Sequence, residues 1–305
     1  MKKNLTRKLA LSAAAMGVAA LSVTTTTYAW FTSNSEATAT AVKASTVDAG
    51  EGNILLSLDA KNWGKTATLP DKSSVKLAPV QYGTGETTTG YYGLNGTKDL
   101  SGNTISYELF VQVSNVAAGS TISMNLSNFE FSAKQTQKLL ASAGTDDPAG
   151  TKVTVGLDDV LAMRVENVAL PNDAIIPTGL TASEVAANNK HYRYLTENSS
   201  GADALEYYNN LLGEHLTRPA SGEFATTYES TALCTVTTGE SSSTTYNDIT
   251  CLTLASDKRD AVFGIKLTFY IDGWDYQCFN AVAGTSITGG AINFKVTPQA
   301  QNSGN

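Results

Sequence analysis

Phe263-Gly264-Ile265-Lys266-Leu267-Thr268-Phe269-Tyr270-Ile271 is the strongest period-two pattern in the chain. Its odd-numbered positions are all large and apolar. That is what an extended segment with one face on a core requires, because successive side chains of a strand point to opposite faces. The same alternation recurs outward from it. Ile105, Tyr107, Leu109, Val111 and Val113 line one face of a long strand, and Ile122, Met124 and Leu126 open the next, continued by Phe129 and Phe131. Asn115 to Ser120, between those two strands, reads as a hairpin loop. Shorter runs lie at residues 53–58, at Val153, Val155 and Leu157, and at Leu161, Met163 and Val165. Ile292, Phe294 and Val296 form a closing strand.

Helical signals are few. Residues 135–142 read as one or two turns, and residues 203–216 place Leu205, Tyr208, Leu212 and Leu216 along one side of a helix. Many strands at short spacing, with strand runs near both ends, predict an all-β, jelly-roll-like β-sandwich with one or two short helices in loop insertions. Residues 171–225, with Pro171, Pro177 and Pro219, break the strand rhythm and read as a long insertion between strands. Long connections in compact domains are unusual and often functional.

Residues 1–29 have the three parts of an export signal. Lys2, Lys3, Arg7 and Lys8 give a basic start, Leu9 to Val23 is apolar, and Thr27-Tyr28-Ala29 offers small residues at the cleavage positions. The apolar stretch falls short of the ~20 residues a bilayer span needs. Cleavage is therefore expected between Ala29 and Trp30. The expected organisation is a leader at 1–29, an N-terminal arm at 30–48, and a sandwich domain at 49–305 that carries the insertion. The mature chain is expected to be secreted, in an extracellular matrix or at the cell surface, with no membrane segment of its own.

The whole chain has 21 basic and 28 acidic residues. Without the leader's basic residues, 17 face the same 28 acidic ones and the formal net charge is −11. Nucleic-acid binding needs a basic footprint and is not expected; neither is an electrostatic hold on anionic lipid.

Export permits disulfides. Cys234 and Cys251 flank a polar loop at the ends of two strand-like runs. A bridge between them would close about 17 residues and stabilise by ~3 kcal/mol in the chain-entropy model; the alternative is two reduced, buried thiols. Cys278 reads as a small buried residue.

Catalytic patterns are missing from the sequence, and no enzyme is expected. His191 and His215 do not form the HExxH zinc pattern, no serine sits in GxSxG, and there is no phosphate-binding loop or dinucleotide fingerprint. The acidic pairs Asp146-Asp147, Asp158-Asp159, Asp257 with Asp260, and Asp272 with Asp275 lack calcium-loop spacing. They read as solvated turns or caps, with a loop Ca²⁺ as the alternative; no other cofactor is expected. Tyr82, Tyr91 and Tyr92 read as strand aromatics, with a sugar-stacking surface as the alternative.

The arm holds the sharper signal. Trp30-Phe31 opens it, and Ala37, Ala39 and Ala41 alternate with Thr38 and Thr40 before Val42. In an extended chain the alanines share one face, and their small size suits a narrow slot. Such an arm can be the first strand of its own sheet or a donor strand in a neighbour's sheet. The candidate acceptors are the strand of Phe263, Ile265, Leu267 and Phe269 and the closing strand of Ile292 and Phe294.

The leader ending in Thr27-Tyr28-Ala29, the aromatic Trp30-Phe31, a polar spacer and then Ala39 to Asp48 resemble the start of the TasA/camelysin family, exported matrix-fibre proteins of Gram-positive bacteria. Ala44-Ser45-Thr46-Val47-Asp48 stands where that family carries Ala/Gly-Thr-Leu-Asp-Leu, with Ala49 in the position of its last Leu. Ile292-Asn293-Phe294-Lys295-Val296 is similar to its closing strand. The resemblance implies a jelly roll and a biofilm-matrix filament, built head to tail from copies of one chain by donor-strand exchange, with an accessory assembly or anchoring protein as a further partner. Some members of the camelysin branch carry a metalloprotease label, which the absence of HExxH does not support here. The alternative is a monomeric secreted binding or adhesion module that uses the 171–225 insertion or the Tyr82/Tyr91/Tyr92 region.

Overall fold

The computed structural model describes residues 37–39, 42–46, 53–84, 88–94, 96, 98–178, 180, 189–213, 215–237, 243–283 and 285–298. The leader, the cleavage site Ala29/Trp30, Phe31 and Ala41 lie outside the described residues.

The Phe263–Ile271 alternation forms the centre of the first sheet. Strand β17 (Ala261–Asp272) pairs antiparallel with β8 (Ile105–Ser114) along one edge and with β12 (Leu161–Val168) along the other. Beyond β8 lies β3 (Asn53–Ser57), and beyond β12 lies β13 (Lys190–Arg193). At the end of β17, Ile271 and Asp272 pair in parallel with β6 (Pro79–Thr84), which makes a hairpin with β7 (Thr89–Tyr92).

The second sheet is built on the closing strand β18 (Ile287–Thr297). One edge of β18 pairs antiparallel with β9 (Thr121–Phe131), which in turn carries β16 (Ile249–Thr253). The other edge receives β1 (Ala37–Ala39) and β2 (Val42–Thr46), both parallel to β18. Outside these lie β4 (Thr66–Thr68) and β5 (Lys72–Leu77). Two small hairpins complete the strands: β10 (Gln135–Lys138) with β11 (Lys152–Val155), and β14 (Cys234–Thr237) with β15 (Ser243–Tyr246).

The two sheets enclose one main core. Phe263, Ile265, Leu267 and Phe269 of β17 and the odd-numbered apolar positions of β8 are buried, as are Ile122, Met124 and Leu126 of β9 and Ile292 and Phe294 of β18. The Phe129 and Phe269 rings lie 5.8 Å apart, joining β9 to β17. Burying each such side chain contributes about 1.5–3 kcal/mol. The chain crosses between sheets from β2 to β3, β8 to β9, β16 to β17 and β17 to β18, so the fold is an all-β, jelly-roll-like sandwich. The first sheet is covered on its other face as well. There Tyr270 packs with Val80, Tyr91, Leu100 and Ala162 in a second cluster.

β9 shows how the pattern is read locally. Its apolar positions run 122, 124, 126 and then 129, a slip of one. At the slip, Ser127 pairs with Ala291 while Glu130 pairs with Gly289, and Asn128 has φ 50°. This is a β-bulge. The extra residue returns Phe129 to the core face.

Three sequence expectations are corrected. Residues 115–120 do not close a hairpin, because β8 and β9 belong to different sheets; the loop is a crossover. Alternation marks a buried face without saying which sheet owns it. Residues 135–138 are a strand of the β10–β11 hairpin, where Thr136 and Thr154 hydroxyls meet at 2.8 Å, and not a helical turn. Finally, the long connection contains β13, which pairs with β12 over Ala162–Val165.

Among the described residues there are two α-helices, α1 (Leu157–Val160) and α2 (Ala204–Leu212). Asp203 caps α2, accepting from the N–H groups of Leu205 and Glu206 at 2.8 and 3.3 Å. Gly213, at φ 69°, ends it in the left-handed conformation. The helix buries Ala204, Tyr207 and Tyr208, a face turned by about one residue from the expected one. Leu216 lies past the Gly213 stop.

The two cysteines take the second of the expected alternatives. Cys234 and Cys251 are buried and unbridged. Cys251 donates to the Ile249 carbonyl at 3.7 Å, and burial pushes its thiol up to about 12. Cys234 lies against the Tyr194 side chain.

Candidate functional site

The arm segment occupies an interior position in the second sheet. Ala39 pairs with Ile287, and Val42 to Thr46 pair with Gly290 to Phe294, all in one parallel register along β18. On the other side Ala39 pairs with Lys72, Ala44 with Ala67 and Ser45 with Thr66, again in one register. β1 and β2 are therefore two pieces of one strand position, and β4 and β5 are two pieces of its neighbour. Ala44 is fully buried. A larger side chain there would have to displace the core, since interiors are close-packed.

An interior strand satisfies the backbone groups of both neighbours. Without it, the edge of β18 and the edge of β4/β5 would face each other across a gap one strand wide. Unpaired edges of this kind are templates for another strand. Of the expected arm residues, Ala37, Ala39 and Val42 lie in this position; Trp30, Phe31 and Ala41 fall outside the described residues.

The two candidate acceptor strands differ. Phe263, Ile265, Leu267 and Phe269 lie on β17, which has β8 paired along Ala261–Phe269 and β12 along Gly264–Ile271. It has no edge to offer over that length. Ile292 and Phe294 lie on β18, whose second edge is the one the arm covers. Gly290, opposite Val42, is also shaped by this packing. A Cβ there would come within 2.6 Å of the Phe129 ring.

A second constellation lies at the end of the sandwich where β17 gives way to residues 273–279. Arg193 of β13 faces three carboxylates: Glu197 at 2.7 Å, Asp272 at 3.5 Å and Asp275 at 3.6 Å. Its guanidinium also stacks 4.0 Å from the centre of the Tyr228 ring. Arg218 makes a forked pair with Asp203 at 2.8 and 2.6 Å, donates through Nε to the Trp274 carbonyl at 2.6 Å, and stacks on Tyr276 at 4.0 Å. The Trp274 indole N–H donates to Gln81 Oε1 at 2.9 Å. These groups wall a cleft of about 210 Å³ that Phe224 and Pro219 complete.

Asp272 and Asp275 were expected as solvated caps. They do cap turns, accepting from the Trp274 and Gln277 N–H groups at 3.0 and 2.8 Å, but they are buried at 5% and 2% exposure. Burial raises the Asp272 carboxyl, and burial together with the charge of Asp272 pushes Asp275 up to about 8. Burial also raises Glu197. Sequence could not show this, because the cover is supplied by Arg193 and Tyr228, far away along the chain.

Tyr82, Tyr91 and Tyr92 are strand aromatics, as the commoner reading had it. Tyr91 and Tyr92 are buried, and Arg164 stacks 4.3 Å from the centre of the half-buried Tyr82 ring. His191 Nδ1 and the Tyr270 hydroxyl are hydrogen-bonded at 2.8 Å, and Tyr270 donates to the Tyr228 hydroxyl at 3.2 Å. Burial, with Arg164 nearby, lowers His191 to about 4, so the ring is neutral. Among the described residues no group of three or more His, Cys, Asp or Glu side chains is arranged to hold a metal ion.

The fold places the chain in the class of all-β sandwich proteins. No family model, curated protein or solved structure matches it.

Proposed function

We propose that the chain is the structural subunit of an extracellular protein filament, a biofilm-matrix or surface fibre. Subunits join by donor-strand complementation through the N-terminal arm. The observation that carries this reading is the place of residues 37–46, an interior strand between the β18 edge and β4/β5. A body lacking that strand presents two facing unpaired edges, and a neighbour's arm fills them with the same main-chain hydrogen bonds. Because the arm and the slot are different surfaces, the contact is head to tail and grows an open filament.

The interior pairing also refines the acceptor: the groove runs beside the closing strand of Ile292 and Phe294. The arm's resemblance to matrix-fibre proteins gives the same direction. The mature subunit is secreted, needs no cofactor, and performs no catalysis in this reading.

The alternative is a monomeric secreted adhesion module. It is favoured by the pairing of the arm within its own chain, which completes the sheet without a partner. Electron microscopy of purified protein beginning at Trp30, with no tag on its N-terminus, separates the two. Regular thin filaments that vanish when residues 30–46 are deleted support the subunit. Dispersed particles across pH and salt leave the monomeric module.

A further inference from the structure

We infer that the arm's first residues, Trp30 and Phe31 with the α-ammonium group of Trp30, dock in the cleft bounded by Phe224, Trp274, Glu197 and Asp272 of the subunit whose slot the arm fills. The inference rests on the proposed donor-strand reading and on a mature start at Trp30.

The path is set by register. The arm runs parallel to β18, so its N-terminal direction leads past Ile287 and past Leu77, the partner of Ala37. The chain that continues from Leu77 enters β6, and Gln81 of β6 lines the cleft. From Ala37 back to Trp30 an extended chain spans about 23 Å. From Leu77 to Gln81 it spans at most about 14 Å. The arm's start therefore has the length to reach the cleft at the end of the sandwich toward which it points.

The cleft has the chemistry for that occupant. Phe224, Trp274 and Pro219 also line an adjoining hollow of about 380 Å³, which Leu94 and Leu216 extend. The two hollows together fall in the roughly 300–1,000 Å³ range of sites that bury small ligands. The Trp274 ring is held in place by its bond to Gln81, whose amide in turn donates to the Gly93 carbonyl at 2.9 Å. The walls thus offer fixed apolar surface to two aromatic rings.

Charge selects the N-terminus in particular. Two guanidiniums, of Arg193 and Arg218, stand among four carboxylates, of Asp203, Glu197, Asp272 and Asp275. With Asp275 protonated, as its environment favours at neutral pH, three carboxylates still outnumber two cations. A cationic partner balances the cleft. Between Trp30 and Val42 the arm has no Lys or Arg, so the α-ammonium group is the cation its leading end can bring.

The test places p-benzoylphenylalanine at Phe31 in the full mature chain and mixes ¹⁴N- and ¹⁵N-labelled protein before irradiation. Docking predicts crosslinks to the peptides carrying residues 215–228 and 272–276. Acetylating the N-terminus should lower their yield by roughly three- to fivefold, the worth of a partly exposed ion pair. Crosslinks to other regions, or none above the unirradiated sample, overturn the inference even where filaments form. Crosslinks to those peptides confined to single isotopic chains keep the docking site and overturn the donor-strand reading, so the two failures are distinguishable.

Discussion

Ala44 of the arm stands opposite Ile292 of the closing strand, in parallel register, and both are fully buried. The pair joins the chain's first described strand position to its last one. Ala67 flanks Ala44 on the other side, so the arm residue is enclosed on both edges. A segment that looks like an extension in the sequence is thus an interior part of the sheet.

Replacing Ala44 with Lys would put an ammonium group in a dry, close-packed position. The expected loss is about 3–5 kcal/mol of stability, with the arm expelled from the slot. Urea denaturation of Ala44→Lys beside Ala44→Ser measures it. Near-equal midpoints for the two would show that Ala44 is not enclosed.

Gly290→Ala tests the same seam from the side of β18. The new Cβ would meet the Phe129 ring at 2.6 Å, and the ring itself packs against Phe269. Overpacking of this kind costs about 1–3 kcal/mol. Thermal denaturation should show a lower midpoint, and Gly290→Ala combined with Phe129→Leu should recover part of it.

The carboxylate cluster makes stability fall as pH rises above neutrality. Asp275 is raised in the folded state to about 8, so the folded chain binds its proton more tightly than the unfolded chain. That contribution is complete at acid pH and is lost as pH rises through 8. His191 works in the opposite sense. It is lowered to about 4, so its contribution is present above its ordinary value near 6.5 and is lost as pH falls. The two slopes offset each other between about pH 4 and 6.5, and Asp275 acts alone above that. Unfolding free energy should fall by up to about 1.4 kcal/mol per pH unit between roughly pH 6.5 and 8. Asp275→Asn should flatten this slope.

Arg193→Met removes the cation that Glu197, Asp272 and Asp275 share. Removing one partner of a buried charge group typically costs about 3–5 kcal/mol. The loss should be largest above pH 8, with all three carboxyls ionised, and should shrink toward pH 5. A pH-independent loss would assign Arg193 a packing role through Tyr228 instead.

Much of the sandwich was legible in the sequence. The alternations of β17, β8 and β18 mark buried faces, because a strand with one wet face must alternate. The slip at Asn128 is legible in the same way once the bulge is allowed for. Residues 135–138 were not legible: Gln135-Thr136-Gln137-Lys138 has no apolar period, and only its partner β11 makes it a strand. Alternation also could not assign β8 and β9 to different sheets. At the candidate sites, the arm's small residues pointed to a narrow slot, but its place beside β18 and not β17 follows from which edges other strands cover. The burial of Asp272 and Asp275 depends on Arg193 and Tyr228, and a local reading of Asp272-Gly273-Trp274-Asp275 sees a turn.

The most direct test of the central claim asks whose arm fills the slot. Lys43 and Thr68 are directly opposed partners across the arm and β4. In a chain beginning at Trp30 with Lys43→Cys and Thr68→Cys, oxidation after concentration followed by non-reducing electrophoresis reads the answer. Exchange between subunits predicts a ladder of disulfide-linked oligomers that collapses to monomer on reduction. A single internally crosslinked monomer band at every concentration would contradict donor-strand assembly and leave a chain that completes its own sheet.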